Sequence, residues 1–178
     1  MTAGIACLYI FHSARAVFCT PSNPSGIGGM YCETIYSAPR WKSGGAVSPR
    51  RDCILLDNGS DELGVKGLEI AQVHLFFSFK ADEQVYPCAL VHNFRKTYVD
   101  PDPDNGMWVV EPKYTTDKSW SMSVVHLDSI ICAVHLLPIF GRSSPLPPQL
   151  KFSLTLDSFR AFYVNKYIDY HAFETVFW

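Results

Sequence analysis

The chain has no C-x-x-C pair among its six cysteines (Cys7, Cys19, Cys32, Cys53, Cys88 and Cys132). Their spacings are wide, and this excludes a zinc ribbon at the first test. Several lie inside apolar runs, as buried free thiols do, which points to a reducing compartment. Long hydrophobic runs are also missing: no stretch reaches the roughly 20 apolar residues of a spanning helix, so no membrane insertion is expected. "GIACLYIF" near the start has no Lys or Arg before it, so it lacks the basic region of a secretory signal. Excess positive charge is lacking too. Fifteen Lys and Arg against 17 Asp and Glu give a net charge of −2, so no global field is available for nucleic acid. Arg40 with Lys42, and Arg50 with Arg51, form only small clusters and read as solvated faces. The glycines of "SGIGG" do not form G-x-G-x-x-G, and no Lys-Ser or Lys-Thr follows them. No G-x-S-x-G elbow or local Cys–His signature is present. Ser129 in "LDSI" reads as a turn serine, because an Asp and a His nearby in sequence do not make a triad.

What is present belongs to a folded protein. Hydrophobic residues make up 48% and aromatics 14% of 178 residues, which argues against disorder. A chain of this length buries about 70% of its unfolded surface and needs no metal or disulfide to fold. Residues 1–51, with "TPSNPSGIGGM" and "SAPRWKSGGAVSPRR", read as an extended, mostly irregular arm. The fold class expected over residues 52–178 is mainly β with a C-terminal helix: a small antiparallel five-stranded barrel or sandwich of the SH3/Tudor/BAH-like kind. Its strands are "AQVHLFFSF", "VYPCALVHNF", "MWVVE", "SMSVVHL" and "ICAVHLLPIF". Period-two alternation predicts a core face with Val73, Leu75, Phe77, Val109 and Ile130. Leu68 and Ile70 fall out of phase, which places a bulge near Ile70. Pro87 lacks an N–H and belongs at an edge or bulge. Phe159, Phe162, Tyr163, Tyr167 and Tyr170 recur at helical steps, predicting a helix over 156–174 capped by Thr155.

Three constellations are candidate sites. "DPDPDNG" offers Asp100, Asp102, Asp104 and, later, Glu111 at calcium-loop spacing, but Gly106 arrives one residue late and the flanks read as strands. "NG" before alternating apolar residues favours a rigid turn instead. Cys88, His92, His126 and His135 could assemble a metal site, although strand cysteines are usually core. Tyr86, Phe94 and Trp108, with Phe76, could form an aromatic cage for a methylated lysine, although such rings usually fill a core.

The pieces "PSGIGGM", "RRDCILLD", "GLEIAQVHLFFSF", "YPCALVHNF", "DPDPDNGMWVVEP", "VVHLDSIICAVHLLPIFG" and "LDSFRAFYVNKYIDYHAFE" occur in this order. Through them, the run from about Asn23 onward resembles a C-terminal region of transposase-like proteins of mushroom-forming fungi, of the Plavaka and Kyakuja-Dileera-Zisupton type. The resemblance implies a region carried beside a transposase core, here as a truncated, decayed or separately expressed copy. The core's acidic catalytic residues and zinc motifs have no matching positions in this chain. The function expected is a non-catalytic accessory or interaction domain of transposable-element origin that binds protein or chromatin inside the cell, including the nucleus. It needs no cofactor. The rivals are a metal-dependent enzyme or metal-binding protein using the clustered His and Cys, and a nucleic-acid-binding module.

Overall fold

In the computed structural model, residues 7–19, 30–60, 67–141, 146, 148–168 and 172 are described. The run "CILLD" forms β5 (Cys53–Asp57) and sets the architecture, because both of its faces are apolar. Cys53 and Leu55 enter one core, while Ile54 and Leu56 enter another. A strand buried on both faces must sit between two layers.

β5 pairs with β6 (Leu68–Ala81), and β6 forms a long hairpin with β7 (Gln84–Lys96). The proximal half of the hairpin belongs to a ring. β7 pairs with β8 (Val109–Pro112), and β8 pairs with β12 (Phe162–Val164). The ring is closed by one bent segment. β10 (Ile130–Val134) pairs with β5, and β11 (Leu136–Pro138) pairs with β12. Only His135 lies between β10 and β11, so the sheet is a nearly closed antiparallel barrel. Its interior holds Leu55, Ile70, Phe94, Trp108, Val110, Phe162 and Val164.

The distal half of the hairpin leaves the barrel. There β1 (Leu8–Phe11) pairs with β6, and β9 (Met122–His126) pairs with β7. A second sheet covers the other side of the hairpin: β2 (Ser13–Cys19), β3 (Met30–Ser43) and β4 (Ala46–Arg51). Ala16 and Ile35 from it join Ile54, Leu56, Ala71, Val73, Phe76, Ala89 and Val91 in the second core.

Several expectations change. The described part of residues 1–51 is not an irregular arm but four strands, because Ile35 and its neighbours are needed to cover the outer face of β5–β7. Its Gly-Pro-rich residues 20–29 lie outside the described residues. Pro39 is accommodated at a bulge between Ala38 and Trp41. The strands exceed five.

The helix over 156–174 reduces to α1 (Thr155–Ser158), after which Phe162–Val164 is extended. Phe, Tyr and Val are poor helix formers, and here they fill the gap between β8 and β11 with Phe162 and Val164 fully buried. Of the helical remainder beyond Ile168, only Ala172 is among the described residues. The bulge in β6 falls between Val73 and Leu75, not near Ile70. It shifts the alternation by one, so Phe76 is buried while Leu75 and Phe77 are only partly covered; Ile130, the first residue of β10, is also only partly covered. Val73 and Val109 are buried as expected.

Phe76→Ala is therefore expected to cost about 3–5 kcal/mol and Phe77→Ala distinctly less. Urea melts of the two variants check this. Equal losses would refute the shifted phase.

Candidate functional site

The sequence candidates are distributed as follows. Cys88 and His126 are direct register partners across β7 and β9, whereas His92 lies opposite Met122. His135 stands at the bend between β10 and β11, with its Nδ1 3.2 Å from Asn165 Nδ2. Burial pushes the Cys88 thiol up, away from the reactive thiolate. Among the described residues, no three His, Cys, Asp or Glu side chains converge as metal ligands.

In the acidic loop, Asp102 Oδ1 accepts from the Asp104 and Asn105 amides at 3.0 and 3.3 Å. Its Oδ2 accepts from the Tyr163 hydroxyl at 3.1 Å. Lys166 Nζ donates to the Gly106 carbonyl and Tyr167 Oη to the Asn105 carbonyl. Glu111 is held by Arg95 at 3.0 Å and Arg160 at 3.4 Å. These carboxylates secure turns and strands; Asp100 and Asp104 sit at the exterior of the loop. The cage residues are dispersed. Phe94 and Trp108 lie in the barrel core, Phe76 lies in the second core, and Tyr86 stacks on Phe79 near the hairpin tip.

The structure does assemble a different group, at the point where the hairpin leaves the barrel. The bulge residue His74 meets His92 at 6.2 Å between ring centroids. Trp120 lies flat on His92 (5.0 Å, 11°) and edge-on to His74 at 5.1 Å, and Tyr114 meets His92 at 6.0 Å. Tyr114 and Trp120 are delivered by the connection between β8 and β9. It is fixed to Asn93 by backbone bonds from Lys113 and to Ser121, and at its tip by Asp117 bonding Thr115 and Ser119. His92 Nε2 donates to the Lys113 carbonyl at 3.1 Å, leaving Nδ1 as the unprotonated nitrogen. His74 Nε2 is buried and has no partner among the described residues. Burial, then the charge of Arg51 and then His92, lowers the His74 pKa to about 4. Burial also lowers His92, opposed by its bond to the Lys113 carbonyl and by the charge of Asp157. Both rings are thus neutral at pH 7.

This layer borders a groove. Gln72, the strand partner of His92, lines a cleft of about 320 Å³ with Trp41, Pro49, Arg50 and Arg51, facing Ser153, Leu156 and Asp157. Arg50 is immobilised: its guanidinium bonds both oxygens of Asp52 at 3.0 and 3.2 Å and lies over Tyr36 (4.2 Å) and Trp41 (4.7 Å). Arg51 makes no ion pair among the described residues. A second hollow of about 420 Å³ shares Arg50, Arg51 and Leu156 and reaches His135 and Ile168. The two form one groove between the small sheet and the barrel, a usual position for ligand sites. Sequence reading placed Arg50 and Arg51 on a solvated face. Arg51 is exposed as that reading has it, whereas Arg50 is redefined by contacts that join β4 to β3 and are invisible along the chain.

Compared with family models, curated proteins and solved structures, the chain matches none. No helix among the described residues is long and apolar enough to cross a membrane.

Two predictions follow from these geometries. Unfolded histidine titrates near 6.5, whereas folded His74 titrates at about 4. Between those values the unfolded chain binds more protons, so stability is complete above pH 6.5, declines as pH falls and levels off below about 4. His74→Phe keeps a ring beside Trp120 and is expected to flatten the fall in urea midpoint between about pH 7 and about pH 5. At Gly106 the φ is +65° and an added Cβ would stand 2.5 Å from Lys166 Nζ. Gly106→Ala is expected to cost about 1–3 kcal/mol in the same melt, and Gly106→Asn less, because Asn tolerates positive φ better.

Proposed function

We propose that this protein is a non-catalytic interaction module of transposable-element origin that holds a segment of a protein or chromatin partner in the groove between its two sheets. The observation that carries the reading is the convergence on that groove of a fixed aromatic–Arg clasp (Tyr36, Trp41 and Arg50), the guanidinium of Arg51, which makes no ion pair among the described residues, and Asp157 across the cleft. A preorganised aromatic and arginine pair is the usual energetic centre of a protein interface. The mixed signs suit a polypeptide carrying both charges better than a polyanion, which disfavours the nucleic-acid rival. The metal-enzyme rival has only Cys88 and His126 side by side, with the thiol held protonated. In this reading the barrel is an elaborated SH3/Tudor/BAH-like ring, and it works inside the cell beside chromatin or a transposase core.

The test is fluorescence anisotropy with labelled histone-tail peptides and with reconstituted nucleosomes. Arg51→Glu is expected to weaken binding at least tenfold, about 1.4 kcal/mol, with the fold intact by circular dichroism. Wild-type protein that binds neither ligand would refute the chromatin reading. Binding that ignores Arg51→Glu would refute the groove.

A further inference from the structure

The face of the hairpin that lines the barrel interior in its proximal half continues into the open in its distal half. Register fixes which side chains share it, since directly opposed residues of antiparallel strands lie on one face. On β6 these are Leu75, Phe77 and Phe79, opposite Leu90, Cys88 and Tyr86 of β7. β1 adds Leu8 opposite Phe79 and Ile10 opposite Phe77. β9 adds Val124 opposite Leu90 and Met122 opposite His92. The outer strands are open to solvent, with Ile10 57% and Val124 58% exposed. Phe77, Phe79 and Tyr86 form a stacked row across the centre, at 6.4 and 5.3 Å between neighbours. No Asp, Glu, Lys or Arg interrupts these positions; besides the thiol and the phenol, the ionisable side chains are His126, opposite Cys88, and the buried His92, opposite Met122.

We infer that the protein self-associates by packing this four-stranded face against the same face of a second copy. An apolar face of four strands exposes on the order of 600 Å², the top of the range for the largest patch on a monomer. Two such faces together bury on the order of 1,200 Å², the lower bound of specific stable interfaces. A face without charge selects no partner of either sign, whereas identical sheets share one twist and pack about 10 Å apart as an aligned sandwich. A twofold axis makes such a contact closed, so the product is a dimer and not a fibre. The composition is that of an interface centre: aromatics, Met and aliphatic residues with charge excluded. The surface is separate from the groove at Arg50 and Arg51, so either proposal can fail without the other.

Sedimentation velocity of the full chain decides. A discrete dimer is expected, with dissociation in the micromolar range, near −8 kcal/mol. Ile10→Lys and Val124→Lys, each on an edge strand of the face, are expected to raise the dissociation constant at least tenfold. Val47→Lys, equally exposed but on β4, is expected to leave it unchanged. Hydrogen exchange of the wild type gives a readout that needs no variant: amides of β1 and β9 are expected to gain protection as concentration rises. A monomer at about 1 mM, well above any micromolar dissociation constant, would overturn the proposal. So would a dimer indifferent to both face lysines, or exchange in β1 and β9 that ignores concentration.

Discussion

The structure depends on one constraint: the strands β5, β6 and β7 carry apolar side chains on both faces. Ile54 and Leu55, adjacent in sequence, are both almost wholly buried yet belong to different cores. A single sheet curled into a barrel satisfies only one of those faces. The other would present Ile54, Leu56, Ala71, Val73 and Val91 to water, at about 25 cal/mol for each Å² of apolar surface. The small sheet exists to cover it. Its attachment is also polar. Asp52 accepts from the Tyr36 amide and donates its own amide to the Tyr36 carbonyl, both at 2.9 Å, while its carbonyl accepts from the Val73 amide at 3.0 Å. One residue thereby ties β3 to the start of β5 and to β6. The same carboxylate fixes Arg50, so the joint between the sheets and the wall of the groove are one arrangement.

Ring closure has a similar economy. Cys53 to Asp57 would be an edge if β10 did not lie beside it, and Phe162 to Val164 would be an edge without β11. A single bend at His135 covers both, and the Ala133 amide near that bend is taken up by the carboxylate of Glu33 from the small sheet. Strand β12 is then locked from its far end. Tyr163, Lys166 and Tyr167 reach back to the loop around Asp102, so the acidic loop and the closing strand stabilise each other. This gives "DPDPDNG" a structural explanation: the Asx turn on Asp102 and the positive φ of Gly106 shape the surface on which the segment after β12 docks.

Much of this was legible in the sequence. The strands at "CILLD", in the hairpin, at "SMSVVHL" and around "ICAVHLLPIF" follow from alternation and turn residues. Pro87 lies one residue before β7 begins its pairing with β9, at a position left open on that side, where a residue lacking an N–H is tolerated. What was not legible depends on pairing across distance. The aromatic spacing of Phe159 to Tyr167 is compatible with a helix. Only the vacancy between β8 and β11 decides that Phe162 and Val164 alternate as a strand. The bulge at His74 is equally non-local, since it appears only when β7 supplies the register. The candidate site was missed for the same reason. His92 was singled out for metal chemistry, but its partners His74, Trp120 and Tyr114 come from two other segments, and the charge of Arg51 reaches His74 only through the fold.

The His74–His92–Trp120 layer sits at the physical boundary of the barrel. On one side His92 packs at 5.7 Å from Phe94, whose ring belongs to the dry interior. On the other, the same sheet face runs out through Leu90 and Val124 into solvent. A continuous apolar face would let water meet the core directly. A neutral imidazole with one bonded nitrogen, covered by an indole, ends the interior without placing a charge there. That choice makes the boundary sensitive to protonation, because charging His92 would put a cation beside Phe94 and charging His74 would put one near the guanidinium of Arg51. The bulge that brings His74 into the layer also sets the phase of Phe76, so the boundary and the second core are adjusted by one inserted residue. The groove, the barrel and the open face therefore meet at a single point on β6, and a shift in its register there would disturb all three.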